Sequence, residues 1–448
     1  MLELKQAREI KGSVCLPPCP DLYFLSACIA IVTGTETHIT AVGDSPLVAS
    51  IENRLAGQAD FVHEEDKRII CPKKESDSTT IALPYPELPY ADLVVFMLMG
   101  AGKTLVFEGL PQSRIDRWRR SAETIGGGIE TNVSGNRVAL YQASNKDFSV
   151  PKVPVPPNAL HSYLGLALGR RMSVTLKTEY PFTSPLRHVL AVFGLEAAVR
   201  SNTTAKDADP LTKRLRFMGV KRKEQTGPVY IISADFSVKP ESPVQIELPG
   251  DQILASTLLV AKSVVQRGAL TIENVPLESW ASGMVNLLRK MGCKPGMQET
   301  RRGSYGAIGM VQLQAFTVQG RKTECVPLFQ HSGHLPAMVV LSCFAKGQSV
   351  FRRLELLRDD RPDPIEQMLY CVRMLGGRHG EMPDGMVIDA AHAYDGFDLE
   401  EELPASMAAA CAAGALRCTG KSTIADRSLC YRWPSFKKLL DSICTYRS

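Results

Sequence analysis

The sequence predicts an α/β protein of two domains, each built from three repeated units of strands and helices. Three observations predict it: a pattern of helix-like and strand-like runs that recurs six times, a longer gap between the third and fourth copies, and a globular composition. The chain has 448 residues, of which 44% are hydrophobic and 22% are charged. This composition is ordinary for a globular protein and excludes a disordered or fibrous chain.

Each copy of the repeat begins with an Ala-rich, apolar run that ends in glycine. Glycine suits the end of a helix because it adopts the left-handed backbone conformation without a Cβ clash. The spacings between the six glycines are 68, 67, 99, 79 and 73 residues. The glycines are Gly34, Gly102, Gly169, Gly268, Gly347 and Gly420.

A short run rich in β-branched residues follows each glycine, and an amphipathic helix comes next. In chain order the runs are THIT, TLVFEG, SVTL, LTIENV, SVFRRLELL and STIADR, and their composition favours strands. In the amphipathic helix of the fourth unit, Leu287, Leu288 and Met291 recur at helical spacing and give one apolar face. Units of this kind bury their apolar faces against neighbours, so the copies should cluster.

A proline lies at or near the predicted start of every Ala-rich helix. The six are Pro20, Pro89, Pro157, Pro249, Pro336 and Pro404. Proline is favoured in the first turn, where its missing N–H would be unpaired anyway. Any one of them is better explained as a loop boundary, but six in register favour an architectural role. Helix N-termini that face a common centre would attract phosphate or carboxylate ligands.

Charge and composition restrict the partners. The net charge is +5, which suits a small anionic ligand and is too weak for a nucleic-acid footprint. No apolar run reaches the length that spans a bilayer, and the N-terminus lacks the apolar stretch of a signal peptide. The 12 scattered cysteines indicate a reducing compartment. We therefore expect a cytoplasmic protein without membrane or nucleic-acid partners, and its oligomeric state is left open.

Three stretches carry a resemblance to a known family. LPGDQILASTLLVAKSVVQRGALTIENVPLESWASGMVNLLRKMG, at Leu248–Gly292, is similar to a P-G-D helix followed by G-x-x-x-T-I-x-N-V and a helix ending in M-G. VPLFQHSGHLPAMVVLSCFAKG, at Val326–Gly347, is the second, and WPSF, at Trp433–Phe436, looks like a closing F-P-x-F. Together with the six-unit order, they resemble the enolpyruvyl transferase family, and most of all its 5-enolpyruvylshikimate-3-phosphate synthase branch.

This resemblance implies a fold and an activity. The fold would have two domains of three βαβαββ-type units, with ligands bound between them. The N-terminal domain would span residues 17–240, and the C-terminal domain would combine residues 1–16 with 241–448. The activity would be that of a divergent 3-phosphoshikimate 1-carboxyvinyltransferase, which transfers enolpyruvyl from phosphoenolpyruvate to shikimate 3-phosphate in aromatic amino acid (chorismate) biosynthesis. No metal or cofactor is expected.

Several positions depart from the family's catalytic motifs. The lysine of its first helix falls on Pro20, an arginine of its second unit falls on Asp92, and the acidic residue before its fifth helix falls near Gly333. Its late lysine falls on Tyr431 or Arg432, and its D-H-R-I-A-M motif becomes EELPASM. The scaffold thus resembles the family more closely than the motifs do.

The remaining polar residues at or beside the matching positions define the predicted site. Transfer of an enolpyruvyl group needs a base for the acceptor hydroxyl and an acid for the methylene carbon, so His334, His331 and Asp360 are the predicted catalytic residues. Arginine forks suit phosphates and carboxylates. Substrate binding is predicted for Arg361, Arg358, Arg114, Arg117, His161, Ser162 and Asp251.

Other interpretations stay open for these residues. The two histidines could bind a metal or lie in an exposed loop, His161 and Ser162 could cap a helix, and the arginines around Arg358 could form a solvated face. The whole chain could equally be a non-catalytic relative that binds an anionic ligand or partner between the domains, or a transferase for a different acceptor, because fold alone does not decide function.

Overall fold

The computed structural model describes most of the chain. The described residues are 1–73, 80–82, 91–108, 112–125, 129–134, 137–142, 155, 157–178, 186–202, 229–280, 284–314, 316–325, 333–354, 357–358, 363–390 and 393–447. Three predicted site residues, His331, Asp360 and Arg361, lie outside them.

Helices recur through the whole described chain. They are α1 (Pro20–Thr33), α2 (Pro46–Leu55), α3 (Ala91–Gly100), α4 (Gln112–Ile125), α5 (Pro157–Gly169), α6 (Leu186–Val192), α7 (Gln252–Val264), α8 (Leu277–Trp280), α9 (Asn286–Lys290), α10 (Leu335–Ser342), α11 (Pro364–Met374), α12 (Ala405–Ala415), α13 (Arg427–Arg432) and α14 (Phe436–Ile443). In the part of the chain that is described, none of these helices has the length and apolarity to cross a bilayer.

Strands alternate with these helices. Up to residue 142 they are β1 (Leu2–Lys5), β2 (Ala7–Ile10), β3 (Gly12–Cys15), β4 (Thr37–Thr40), β5 (Ala59–Glu64), β6 (Lys67–Pro72), β7 (Thr80–Ala82), β8 (Thr104–Glu108), β9 (Ile129–Ser134) and β10 (Arg137–Gln142). Up to residue 313 they are β11 (Ser173–Thr178), β12 (Ala197–Asn202), β13 (Val229–Asp235), β14 (Val244–Glu247), β15 (Leu270–Pro276), β16 (Gly296–Gly303) and β17 (Gly306–Leu313). The last are β18 (Lys322–Glu324), β19 (Ser349–Arg352), β20 (Arg378–Met382), β21 (Gly385–Asp389), β22 (Asp398–Leu399), β23 (Lys421–Ile424) and β24 (Cys444–Tyr446).

The strands form one small sheet per predicted repeat unit. In chain order of the units, the sheets are β14-β4-β6-β5, β7-β8-β10-β9, β11-β13-β12, β16-β17-β15-β3, β18-β19-β21-β20 and β1-β23-β22, and β2 pairs separately with β24. Five of the six sheets contain a parallel pair beside antiparallel pairs. The recurring sheet order is the structural counterpart of the recurring sequence pattern.

The buried apolar side chains form two clusters, which we call the first lobe and the second lobe. The first lobe draws its core from residues 19–248, with Tyr305 added, and the second draws its core from residues 2–16 and 254–443. Strand β14 pairs with β4 of the first lobe, and β3 pairs with β15 of the second. The predicted domain boundary near residue 240 stays a prediction, and β14 already extends the first sheet to Glu247.

The repeat glycines have two different functions. Gly34, Gly102, Gly268, Gly347 and Gly420 have φ between 64° and 82°, the left-handed conformation in the turn between helix and strand. Gly34 follows its helix directly, as predicted, and the others lie two to five residues beyond their helices.

Gly169 differs because it still belongs to α5. A Cβ at Gly169 would lie 2.1 Å from the carbonyl oxygen of Met97, and one at Gly165 would lie 2.3 Å from that of Leu93. These two glycines therefore let α3 and α5 pack backbone against backbone.

The predicted helix starts agree with the structure in most units. Helices α1 and α5 begin at Pro20 and Pro157, Pro336 is the second residue of α10, and Pro404 directly precedes α12. Pro249 lies three residues before α7, whose cap is Asp251. Pro89 lies outside the described residues.

Substitution of Gly165 by Ala should destabilise the first lobe. The added methyl group meets backbone that cannot move without separating α3 from α5, and overpacking of this kind costs about 1–3 kcal/mol. Gly57→Ala is the matched control, because no atom lies within 4 Å of a Cβ there. Urea unfolding monitored by circular dichroism measures both, and equal midpoints for the two variants would contradict the packing argument.

Candidate functional site

Two chain segments cross between the lobes, at residues 16–19 and 248–251. They lie antiparallel, with a bridge between Pro18 and Gly250. The amide of Cys19 donates to the carbonyl of Pro249 at 2.9 Å, and the amide of Asp251 donates to the carbonyl of Pro17 at 2.8 Å. A Cβ at Gly250 would lie 2.5 Å from the Cβ of Leu16, so only glycine permits this close approach.

The crossings bring two helix N-termini together. Helix α1 begins directly after the first crossing, and α7 begins directly after the second. The Asp251 carboxylate caps α7 by accepting from the amides of Ile253 at 2.9 Å and Leu254 at 3.5 Å. Asp21 lies in the first turn of α1. Both carboxylates are placed where the partial positive charge of a helix start stabilises them.

The guanidinium of Arg432, at the end of α13, lies between these two carboxylates. Its Nη1 and Nη2 donate to the two oxygens of Asp21 at 2.9 and 2.6 Å, and Nη2 also donates to Asp251 Oδ2 at 2.9 Å. The indole Nε1 of Trp433 donates to the same Asp251 oxygen at 3.0 Å. We call Asp21, Asp251, Arg432 and Trp433 the crossing cluster.

Burial makes the charges of the crossing cluster interdependent. Asp21, Asp251 and Arg432 are 4%, 0% and 8% exposed. Burial alone would lower the pKa of Arg432, but the Asp21 and Asp251 carboxylates raise it well above its usual value. Burial raises the pKa of Asp21, and the guanidinium opposes that rise. Arg432 therefore stays charged, and its charge is neutralised by the chain's own carboxylates.

A second polar cluster lies in the first lobe around Asp92, in the first turn of α3. Trp118 Nε1 donates to Asp92 Oδ1 at 2.7 Å, Arg117 Nη2 donates to Oδ2, and Arg114 Nη1 lies 3.6 Å from Oδ1. Burial would raise the pKa of Asp92, but Arg117 and Arg114 hold it below its usual value. Burial lowers the pKa of nearby His161, against the attraction of Asp92.

The predicted binding residues Arg114, Arg117 and His161 are thus gathered around one carboxylate. Ser162 follows His161 on α5, is fully buried, and its hydroxyl has no hydrogen-bond partner among the described residues. Arg114 and Arg117 can bind an anion, and the anion that they contact here is the Asp92 carboxylate of the chain itself.

His334 lies at the start of α10, packed against α7. Its Nδ1 is 2.7 Å from Ser256 Oγ, and Ser256 donates its own proton to the carbonyl of Gln252 at 3.0 Å. His334 is 3% exposed, and burial lowers its pKa to about 3. A neutral, buried imidazole of such low basicity is poorly suited to proton transfer near pH 7, and the predicted catalytic role stays a prediction.

Arg358 contacts the β20–β21 hairpin. Its Nη1 lies 2.6 Å from Glu381 Oε1 and 3.4 Å from Asp363 Oδ2, and its other nitrogens donate to the carbonyls of Met382 at 2.8 Å and Pro383 at 3.2 Å. These contacts fix the turn of the hairpin. The predicted role of Arg358 in substrate binding stays a prediction.

The structure therefore divides the predicted site residues among separate groups. Asp251 belongs to the crossing cluster, and His334 contacts α7 through Ser256, five residues further along the same helix. Arg114 and Arg117 contact Asp92 in the first lobe. Arg358 contacts the β20–β21 hairpin. No group of three or more His, Cys, Asp or Glu side chains within the described ranges is arranged to hold a metal ion.

Asp21 is a site residue that the sequence analysis missed. It is the second residue of a long apolar helix, PDLYFLSACIAIVT. A lone carboxylate in such a run is a signal of a buried charge that needs a partner. The sequence does not identify that partner.

The fold assigns the chain to a structural class. EPSP synthase from Acinetobacter baumannii matches 98% of this chain and 97% of its own, with a TM-score of 0.69 and 15% identity. The enolpyruvyl transferase NikO from Streptomyces tendae matches 98% of this chain and 96% of its own, with a TM-score of 0.69 and 14% identity. The protein therefore has the enolpyruvyl transferase fold, and the predicted fold class is confirmed.

Sequence comparison is more specific. The family model for EPSP synthase (3-phosphoshikimate 1-carboxyvinyltransferase) matches residues 203–440, more than half of the chain, and the chain belongs to this family. A 3-phosphoshikimate 1-carboxyvinyltransferase of Anaeromyxobacter sp. (strain K) is 25% identical over 333 residues, 70% of this chain and 74% of its own. Another, of Synechococcus sp. (strain WH7803), is 29% identical over 207 residues, 45% of this chain and 46% of its own.

Loss of the Arg432 charge should strongly destabilise the protein. Arg432→Met leaves two buried carboxylates without their cation, and breaking a buried pair costs about 3–5 kcal/mol. The control is Lys437→Met, which breaks the exposed Lys437–Asp441 pair and should cost no more than about 0.5 kcal/mol. Chemical denaturation gives both values, and similar losses would refute a special role for the crossing cluster.

Acid should destabilise the protein partly through His334. Between pH 6.5 and about 3 the unfolded chain binds a proton at this histidine and the folded chain does not, so stability falls as pH falls. The slope from one such group is about 1.4 kcal/mol per pH unit. His334→Asn keeps a polar side chain beside Ser256 and should reduce the slope relative to that of wild type. Unfolding curves from pH 7 to 4.5 test this, and an unchanged slope in His334→Asn would count against it.

Proposed function

We propose that this protein is an enolpyruvyl transferase that uses phosphoenolpyruvate and shikimate 3-phosphate, the reaction named for its relatives. The observation that carries the proposal is the family match over residues 203–440, which includes Asp251, His334 and Arg432. The proposed pathway is aromatic amino acid biosynthesis. The proposed setting is the cytoplasm, because all twelve cysteines are free thiols, as in a reducing compartment.

The proposed reaction forms one C–O bond and breaks another. The acceptor oxygen bonds to C2 of phosphoenolpyruvate while a proton adds to the methylene carbon. Loss of a proton from that carbon and of inorganic phosphate from C2 then regenerates the double bond. The step needs a proton acceptor and a proton donor. His331 and Asp360 are proposed for these roles and Arg361 for anion binding, and all three lie outside the described residues.

A second candidate function is favoured by the pairing of the cations. Arg432 contacts Asp21 and Asp251, and Arg114 and Arg117 contact Asp92. A phosphate ester that bound these arginines would have to compete with a buried carboxylate of the chain. This arrangement favours a less anionic acceptor, or a relative that binds its ligand without turnover.

The test uses purified full-length protein with both compounds. We expect inorganic phosphate release that requires phosphoenolpyruvate and shikimate 3-phosphate together. Arg361→Ala should weaken the binding of an anionic substrate by about 1.5–3 kcal/mol, the scale of a charge-assisted hydrogen bond, in isothermal titration calorimetry. Arg289→Ala, an exposed arginine on α9, is the control and should bind as wild type.

The outcomes separate the two candidates. Binding of phosphoenolpyruvate without phosphate release would favour a transferase for a different acceptor. No binding of either compound and no turnover would refute the transferase proposal and favour the non-catalytic relative. Wild-type affinity in Arg361→Ala would remove that residue from the site.

A further inference from the structure

Five exposed cations of the second lobe lie on three neighbouring segments of the chain. The first segment ends α9 and continues beyond it, the second leads into β18, and the third joins α10 to β19. We call these five residues the basic patch, and they are Lys290, Lys294, Arg321, Lys322 and Lys346. None of them belongs to the predicted site, so the patch is a separate feature of the surface.

Hydrogen bonds hold the three segments together. The guanidinium Nε of Arg321 donates to the carbonyl of Lys290 at 3.0 Å. The amide of Gly320 donates to the carbonyl of Lys346 at 2.8 Å, and the amide of Lys346 donates to the carbonyl of Val318 at 2.8 Å. The segments that carry the five cations therefore form one continuous surface.

The basic patch concentrates positive charge. Residues 290–295, 317–325 and 344–349 contain five cations and one acid, Glu324, and so carry a net charge of +4, whereas all 448 residues together carry +5. No ion pair joins any of the five cations to a carboxylate among the described residues. The small net charge predicted no nucleic-acid partner, because a sum over the whole chain does not show where the charges lie.

The chemistry of the patch favours one class of partner. A stable protein partner needs aromatic or apolar anchors, and stable membrane attachment needs an apolar anchor beside the basic residues. A nucleic-acid backbone needs neither, because the attraction of Lys and Arg to phosphates supplies essentially all of the sequence-independent affinity. The large apolar side chains that are exposed in the described part of the chain all lie outside the three segments, and they are Met1, Val62, Met172, Val238 and Tyr431.

We propose that the basic patch binds the phosphate backbone of a nucleic acid without reading its base sequence. Four of its five cations are lysines, whose compact charge suits a phosphate and lacks the fixed fork of arginine. Contacts of this kind position a protein on a nucleic acid and carry no sequence information. The inference does not depend on the proposed function, because no residue of the patch is assigned to the transferase reaction.

Fluorescence anisotropy with the purified full chain and a labelled single-stranded RNA of mixed sequence tests the proposal. We expect binding at about 50 mM salt that weakens as salt is added, because the logarithm of the affinity falls linearly with the logarithm of the salt concentration. If all five cations contact phosphates, the slope should be about −3.5, from about −0.7 for each phosphate of a single strand. An RNA of unrelated sequence and the same length should bind equally well.

Three substitutions in the patch should weaken this binding. Lys290→Ala, Arg321→Ala and Lys346→Ala in one chain should make the slope shallower by about 2, because three phosphate contacts are lost. The charge-preserving triple variant, with Lys290→Arg, Arg321→Lys and Lys346→Arg, should bind as wild type does. All three side chains are exposed, so circular dichroism should show folded protein in both cases.

The matched control removes three exposed cations from the first lobe. Lys177→Ala, Arg200→Ala and Lys239→Ala in one chain lower the net charge by the same amount. This variant should keep the wild-type slope, because the lost charges lie outside the patch.

Three results would overturn the proposal. One is the absence of RNA binding by the wild-type chain at about 50 mM salt, where such contacts are strong. Another is an equal loss of affinity in the patch variant and the first-lobe control, which would indicate a response to net charge alone. The third is tighter binding to phosphatidylserine vesicles than to RNA, which would assign the patch to a membrane surface.

Discussion

The buried guanidinium of Arg432 is the interaction on which the meeting of the two lobes depends. It binds Asp21 at the start of α1 and Asp251 at the start of α7, directly beyond the two crossings. An isolated charge buried this deeply would have a prohibitive desolvation free energy. Each of the three charged side chains therefore requires an oppositely charged partner. The two crossings approach closely at Gly250, and Asp251 caps α7 directly after it. This places the Asp251 carboxylate beside the Arg432 guanidinium.

The same interaction bears on ligand chemistry. Helix N-termini and arginines are general recognition elements for phosphate and carboxylate, and this chain has both at the crossings. At the crossings, the Asp21 and Asp251 carboxylates already form ion pairs with Arg432. In the first lobe, the Asp92 carboxylate forms ion pairs with Arg114 and Arg117 in the same way. The chain thus belongs to a family whose named members act on a phosphorylated substrate, while its own carboxylates take the place of external anions at these arginines.

The fold and the family followed from the sequence, whereas the state of individual side chains did not. The repeat glycines, the helix-start prolines and the Leu248–Gly292 stretch predicted the architecture. His334 shows the limit: its position was suggested by resemblance, but its basicity is set by burial against Ser256. Burial depends on how α7 and α10 pack, and no local pattern encodes it. Gly169 is a second case, because its partner backbone belongs to α3.

Local patterns in the sequence predicted the six-unit order and the kind of element at most positions, because helix and strand periodicities are local and are repeated along the chain. Which charged side chains contact each other depends on the packing of distant parts of the chain. Asp21 and Arg432 are 411 residues apart, and Ser26 and Tyr305 are 279 apart. Their contacts arise where two lobes pack together, and a side chain's partner at that distance is selected by the shape of both lobes rather than by its neighbours in sequence.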